Sequence, residues 1–211
     1  MDINDIVKGG DERISLNENG LNKYHGHPLI YKSVFNRGSC TMSNLNVDSK
    51  RAVDKMLEKL KQHDYSKLLD EQQKQLKKLI DKNPSHDFDI FYAPSGSDLC
   101  YYPIMFSRIL QYEKPIFSVV TCPEELGTGS NTAIKGKYFF GTNQFEENVD
   151  KGINIHPDVN IIQQAFPARD EEGNILNHKA EILKVIEEKS KDHQVIANLV
   201  IGSKSGIVDN I

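Results

Sequence analysis

The chain has 211 residues, of which 38% are hydrophobic and 27% charged, a composition typical of a globular protein with a sizeable core and not of a disordered one. Its formal net charge of −4 argues against a general binder of nucleic acid or of anionic membranes, because such proteins normally carry a net basic face. The sequence has no apolar stretch near the roughly 18 residues that a membrane-spanning helix needs.

The first ten residues are acidic and polar, without the basic and apolar regions of a signal peptide. The three cysteines, Cys40, Cys100 and Cys122, lie far apart and form neither a metal-type pair nor an even disulfide framework. Of the seven histidines only His25 and His27 are close together, and no cysteine or carboxylate lies at ligand spacing from them, so no metal site is expected. We expect a cytoplasmic protein.

Two segments precede the main domain. Residues 1–47 are rich in Gly, Asn, Asp and Ser and show no long helical period, which predicts an extended N-terminal arm. From Asp48 apolar residues recur at helical spacing, and Asn83–Pro84 closes the pattern because a residue before proline disfavours helix. Residues 48–83 are therefore predicted to form a helical segment, either two amphipathic helices or one bent helix.

Strand and helix patterns alternate after residue 84, which predicts an α/β domain over 84–211 with a parallel-rich sheet and crossover helices. The predicted strands, numbered one to four, are 88–92, 115–121, 159–166 and 195–201, and the predicted helices are 97–111, 124–135 and 179–191. Only a few residues follow strand four. Either strand four lies at a sheet edge, or the other half of the sheet is absent from this polypeptide.

The turn after strand one is the first candidate for chemistry. A glycine that permits close backbone approach, two hydroxyls and a helix N-terminus together suit a phosphate; the residues are Ser95, Gly96, Ser97 and Asp98. The same residues also make an ordinary N-cap for the following helix. The pattern is neither a Walker loop nor Gly-x-Gly-x-x-Gly.

Two further turns are expected at the same carboxyl edge of the sheet, where open α/β sheets bind their ligands. The turn after strand two could line a crevice through Gly127, Thr128, Gly129 and Ser130, or it is a glycine-rich connection with two solvated glutamates. Lys204, in the turn after strand four, could form a Schiff base, contact a phosphate or point to solvent. Cys40 is either a nucleophile or buried filler, and the chain has no Gly-x-Ser-x-Gly elbow for a serine triad.

Several segments, in this order along the chain, resemble pyridoxal-phosphate enzymes of fold type I, the aspartate aminotransferase superfamily, and within it a bacterial group of transferase-like proteins. They are Gly9–Ile14, Gly20–Tyr24, Gly38–Ser43, Pro94–Asp98, Glu125–Ser130 and Ser203–Gly206. The resemblance implies the partial large domain of such an enzyme, in which Ser95, Gly96, Ser97 and Asp98 hold the cofactor phosphate beside Thr128 and Ser130.

The same resemblance implies a small amino-acid-type substrate, pyridoxal phosphate as cofactor, and a homodimer in which the N-terminal arm reaches the neighbouring subunit. Neither nucleic acid nor membrane is implied as a partner. The family pattern matches Lys204 better to a loop beside substrate or cofactor than to the Schiff-base lysine. It also implies that this lysine and the aspartate that pairs with the pyridine nitrogen lie beyond residue 211, so that this chain alone would be inactive.

Two hypotheses therefore stand. The chain is a pyridoxal-phosphate-dependent transferase-like protein or the N-terminal part of one, with the cofactor as electron sink for a transferase or lyase reaction. Alternatively, it is a noncatalytic α/β protein, a phosphate binder or a remnant that keeps the phosphate turn without a complete site.

Overall fold

The structure, a computed structural model, describes residues 15–27, 46–62, 64–81, 87–145, 147–201 and 205–208. The chain divides into two compact units, 1–92 and 93–211. Most of the predicted arm lies outside the described residues. Residues 15–27 of the arm form turns in which the side-chain oxygens of Asn17 and Asn22 each accept two backbone N–H groups. Such side-chain hydrogen bonds to the backbone are why Asn favours turns over helix or strand.

Two helices form the described part of the helical segment, as predicted. Helix α1 spans Val47–Gln62 and α2 spans Tyr65–Ile80. The side chain of Asp64 accepts the backbone N–H of Ser66 and so caps the start of α2. Lys59 Nζ lies 3.2 Å from Glu71 Oε2 and joins the two helices by a surface ion pair.

The prediction of a strand at 88–92 is wrong, because these residues pair with no strand. They belong to the first unit and contact α2 through polar and cation–π interactions. Gln73 Nε2 donates to the carbonyl of Ile90 at 2.9 Å, and Lys77 Nζ lies 5.4 Å from the centre of the Phe88 ring. The segment therefore contacts a helix. Its apolar residues resemble the pattern of a strand, although it is not one.

The second unit contains the α/β elements in this order: α3 Gly96–Leu99, α4 Tyr102–Leu110, β1 Ile116–Thr121, a 3₁₀ turn Pro123–Glu125, α5 Thr128–Ala133, β2 Ile161–Phe166, α6 Lys179–Lys189 and β3 Gln194–Asn198. The helix predicted over 97–111 is thus two helices, separated at Cys100 and Tyr101. Pro103 explains the break, because it has no N–H to continue the α3 ladder and suits the first turn of a new helix. The glycines of the 124–135 segment likewise divide it into a 3₁₀ turn and α5.

The described strands form one parallel sheet in the order β2–β1–β3. All six residues of β1 are buried, as a central strand covered on both faces requires. The strand predicted last in the chain, now β3, lies at an edge of this sheet. The coarse prediction of an α/β fold is confirmed.

Helices cover both faces of the sheet. On one face Phe117 and Val119 of β1 pack with Phe166 of β2 and Ile182 of α6. On the other face Ile116 packs with Ile104 of α4 and with Val159. In α6 Val185 and Ile186 also pack against this cluster, whereas Leu183 is 48% exposed. No helix within the described ranges is long and apolar enough to cross a membrane.

Candidate phosphate site

The turn at the start of α3 is held by two of its own side chains. Ser95 is the N-cap, and its Oγ accepts the backbone N–H of Asp98 at 3.2 Å. The same hydroxyl donates to Asp98 Oδ2 at 2.6 Å. The N-cap alternative is therefore correct for Ser95 and Asp98, which satisfy each other much as a capping box does.

Ser97 faces the second predicted loop instead. Its Oγ lies 3.3 Å from the Oγ of Ser130 in α5, across 33 positions of sequence. Gly129 lies close to the same hydroxyl. A Cβ built at Gly129 would be 2.8 Å from Ser97 Oγ and 3.3 Å from the Phe139 side chain. Only glycine lets the two loops approach so closely. The structure thus brings together the two turns that the sequence placed separately at the carboxyl edge of the sheet.

The remaining loop residues are more open. Gly96 is exposed and a Cβ there would meet nothing, so this position does not require glycine for space. Thr128 is exposed at the first position of α5, and its carbonyl accepts the hydroxyl of Thr132 at 3.0 Å. Of the predicted binding residues, Ser97 and Ser130 are therefore the pair whose side chains meet across the two turns.

Cys100 lies beside this pair, in hydrogen-bond contact with Ser130, and Tyr101 follows it in the chain; neither belongs to the predicted turns. Burial raises the pKa of the Cys100 thiol, an effect that a hydrogen bond with Ser130 partly offsets and the nearby carboxylate of Asp98 reinforces. Burial also raises the pKa of Tyr101, whose hydroxyl donates to the Lys137 carbonyl at 2.8 Å. Both side chains are neutral near pH 7 and add no negative charge. The sequence does indicate that Cys100 lies near Ser97, because the two residues are three positions apart, nearly one helical turn.

The two glutamates after β1 are not simply solvated. Glu124 Oε1 accepts the backbone N–H of Ala168 at 2.6 Å, in the loop after β2. The Glu125 side chain is only 8% exposed; it accepts the backbone N–H of Ser205 at 3.1 Å and lies 3.8 Å from Arg169. Ser205 Oγ also donates to Glu125. These carboxylates tie the segments after β2 and β3 to the end of β1 and so hold the carboxyl edge of the sheet together.

Two predicted residues, Lys204 and Cys40, lie outside the described residues. Within the ranges that the structure does describe, no group of three or more His, Cys, Asp or Glu side chains could hold a metal ion. What the geometry offers is a pair of hydroxyls at the meeting point of two helix starts, an arrangement able to donate hydrogen bonds to an anion. The carboxylate of the turn, Asp98, is hydrogen-bonded to Ser95. No protein-family model, curated protein or solved structure matches this chain.

Proposed function

We propose that this protein binds pyridoxal phosphate through the paired loops at 95–98 and 127–130, and that it acts as a pyridoxal-phosphate-dependent transferase-like protein on an amino-acid-type substrate. The observation that carries the proposal is the 3.3 Å approach of the Ser97 and Ser130 hydroxyls. Two loops far apart in sequence meet at one point: the 95–98 turn resembles the phosphate turn of the family, and the 127–130 loop carries the predicted cofactor contacts Thr128 and Ser130.

The residues present fit the phosphate end of the cofactor. The Ser97 and Ser130 hydroxyls bind phosphate oxygens, and Gly129 allows the two loops to approach without a Cβ between them. Ser95 and Asp98 keep the turn in shape by bonding to each other. Because Asp98 is engaged with Ser95, its role in this proposal is to position the turn and not to contact the phosphate. Thr128, exposed at the start of α5, lies at the rim of the same loop pair.

The Cys100 thiol is compatible with the same assignment, and the one carboxylate of the turn, Asp98, is hydrogen-bonded to Ser95. A phosphate brings nearly two negative charges, and an ionised thiol beside it would repel them. Since burial raises the pKa of Cys100, its thiol remains protonated near neutral pH. When bound, pyridoxal phosphate supplies an electron sink for a carbanion on the substrate. Lys204 remains a predicted contact of the cofactor or substrate.

One observation favours the second candidate, a noncatalytic phosphate binder or remnant. The Ser95–Asp98 pair has its hydrogen bonds satisfied within the turn, as a purely structural N-cap would. The two candidates differ in whether the protein recognises the pyridine ring of the cofactor as well as its phosphate. A noncatalytic phosphate binder should bind inorganic phosphate through the same hydroxyls and gain nothing from the pyridine ring, whereas a remnant should bind neither.

Equilibrium dialysis with pyridoxal phosphate, pyridoxal and inorganic phosphate tests the proposal. We expect the protein to bind pyridoxal phosphate more tightly than either fragment, and Ser97→Ala or Ser130→Ala to weaken it by about tenfold or more, because a hydrogen bond to a charged group is worth about 1.5 to 3 kcal/mol. Ser66→Ala, on the exposed start of α2, is the matched control and should change nothing. Equal binding of pyridoxal and pyridoxal phosphate would contradict the phosphate site.

Borohydride reduction followed by peptide mass analysis tests Lys204 separately. Covalent labelling at Lys204 that Lys204→Ala removes would assign it as the Schiff-base lysine. Labelling at another lysine would contradict that role and leave the phosphate site standing. Tight binding of inorganic phosphate, with no gain from the ring, would support the noncatalytic candidate instead.

A further inference from the structure

The turn at residues 17–20 contains the one Asn–Gly pair in the sequence, Asn19–Gly20. An asparagine in such a pair can lose its side-chain amide, because the backbone nitrogen of the following residue attacks the side-chain carbonyl carbon. Glycine obstructs this attack least, since it has no Cβ. The sequence therefore supplies the reacting pair, and the structure shows how the pair is held.

Asn19 lies exposed at the tip of this turn. Its backbone N–H donates to Asn17 Oδ1 at 2.9 Å, whereas its side-chain amide has no hydrogen-bond partner in the part of the chain that the structure describes. The amide is therefore able to rotate toward the backbone, and water reaches it. Exposed loop tips of small and polar residues are also the positions at which proteins best tolerate change.

The turn itself favours glycine at position 20. Gly20 has φ +70, a left-handed conformation that strains other residues. Outside the neighbouring residues, the nearest atom to a Cβ built there would be in the His27 ring, at 3.8 Å. The backbone conformation, and not lack of space, therefore favours the glycine that makes Asn19 reactive.

The same turn restrains the attacking nitrogen. The N–H of Gly20 donates to the Asn17 carbonyl at 2.8 Å, and Asn17 Oδ1 also accepts the N–H of Leu21 at 3.0 Å. To attack the Asn19 side chain, the Gly20 nitrogen must lose its proton and turn away from the Asn17 carbonyl. The reaction therefore depends on local opening of the turn, an equilibrium that its hydrogen bonds oppose.

We propose that Asn19 is a site of spontaneous deamidation and that the turn held by Asn17 sets its rate. The Gly20 nitrogen bonds to Asn19 Cγ, the C–N bond of the side-chain amide breaks, and ammonia leaves with the proton from Gly20. Water then opens the resulting cyclic imide at either carbonyl and gives aspartate or its β-linked isomer at position 19. The reaction uses only solvent water and shares no residue with the proposed phosphate site.

The reaction changes the turn as well as the residue. In the imide the Gly20 nitrogen carries no hydrogen, so its bond to the Asn17 carbonyl is lost. Opening at the backbone carbonyl of Asn19 gives the β-linked isomer, which has an extra carbon in the main chain between positions 19 and 20. Both products add a negative charge beside Glu18.

Incubation of the whole protein at mildly alkaline pH, followed by pepsin digestion at low pH and mass analysis of the peptides, measures the reaction at each asparagine. We expect Asn19 to react about tenfold faster than Asn148 or Asn160, a difference of about 1.4 kcal/mol in the barrier. These two residues are matched internal controls, because they are also exposed but precede Val149 and Ile161, whose branched side chains obstruct the attack.

Variants of the turn test what sets the rate. Asn17→Ala removes both side-chain hydrogen bonds and leaves Asn19–Gly20 intact, so Asn19 should react about fivefold faster, the effect of one ordinary hydrogen bond on opening. Asn17→Asp keeps an oxygen acceptor and should react at close to the wild-type rate. Asn143→Ala is the matched control, because Asn143 Oδ1 accepts the N–H groups of Phe145 and Glu147 in the same pattern in a different turn. It should leave the rate at Asn19 unchanged.

Equal rates at Asn19, Asn148 and Asn160 would overturn the assignment of the site. An unchanged rate in Asn17→Ala, or the same acceleration in Asn143→Ala, would overturn the role of the turn. The methyl NMR signals of Ile104 and Ile116, in a core cluster of the second unit, show whether each variant is folded. Loss of pyridoxal phosphate binding would leave these results unaffected, since the two sites have different residues.

Discussion

The two serines at the start of α3, Ser95 and Ser97, have different roles. The hydroxyl of Ser95 is used within the turn, whereas Ser97 points to another loop and meets Ser130. A motif made of Ser, Gly, Ser and Asp cannot distinguish these tasks, because both serines suit an N-cap and both suit a phosphate. The distinction comes from which hydroxyl the fold leaves pointing away from its own helix.

Glycines at positive φ differ in a similar way. Gly136 has φ +68 and is buried, and a Cβ there would lie 2.5 Å from Val159 Cγ1 and 3.1 Å from Ile161 Cδ1. Gly152 has φ +88, but it is exposed and a Cβ there would meet nothing. Both positions favour glycine for its backbone, and only Gly136 also needs it for space.

We therefore expect Gly136→Ala to lower the free energy of unfolding by about 2 to 4 kcal/mol, through left-handed strain of about 1 kcal/mol plus overpacking of about 1 to 3 kcal/mol. Gly152→Ala should lower it by only about 1 kcal/mol, from the backbone alone. Urea unfolding of both variants measures the difference. Equal losses would show that the stiff side chain of Val159 moves aside without cost.

At the scale of the element, β1 joins its neighbours by side chains as well as by backbone pairing. Thr121 is 2% exposed, and its Oγ1 accepts the backbone N–H of Val200 at 3.0 Å, beyond the end of β3. Asn198 Nδ2 donates to Ser118 Oγ at 3.0 Å. These polar pairs fix the register of β3, an edge strand that has a hydrogen-bonded neighbour on one side.

Thr121→Val should therefore destabilise the sheet by about 1 to 3 kcal/mol, because it preserves the side-chain shape but leaves the buried N–H of Val200 without an acceptor. Thr132→Val is the control, since its exposed hydroxyl bonds only the Thr128 carbonyl within α5 and its loss should cost less than about 0.5 kcal/mol. Hydrogen exchange at Val200 gives the local readout. Unchanged protection there would contradict the assigned bond.

The central strand was predicted well because its residues are buried on both faces of the sheet. The run Ile116–Thr121 is apolar enough that only a central strand accommodates it, and the structure has β1 there. The segment 88–92 has a similar composition, but it packs on α2 through Gln73 and Lys77, partners that no local pattern shows. Pro103 is a sequence signal for the break between α3 and α4. The apolar residues at helical spacing over 97–111 nevertheless favour a single helix.

The candidate site was also predictable only in part. The turn at 127–130 was predictable as a loop that follows a buried strand, but the position of the 95–98 turn was not, because no strand precedes it. The 3.3 Å contact of Ser97 with Ser130, and the use of Glu124 and Glu125 as ties between loops, depend on side-chain directions set by tertiary packing. A cavity at the carboxyl end of β1 had no sequence signal, since its lining residues come from four separate segments, within 121–122, 166–168, 175–182 and 207–208.

At the scale of the whole molecule, the chain has two compact units that meet in sequence at residue 92. The alternation of strands and helices in the sequence predicts a domain that begins at residue 84. The difference concerns residues 84–92, which the sequence assigns to the sheet; the described part of that segment contacts α2 instead.

This difference predicts how fragments behave. Residues 93–211 contain every strand of the described sheet, together with the helices α4 and α6 that cover its two faces. We expect a fragment of residues 93–211 to unfold cooperatively on heating and to retain the methyl NMR signals of Ile116 and Ile182, because both core clusters lie within it. A fragment of residues 84–211 is the matched comparison and should be no more stable, since the described part of the added segment, 87–92, supplies no strand. A large gain in thermal stability from residues 84–92 would show instead that this segment supports the sheet, as the sequence pattern predicts, and would move the boundary back to Pro84.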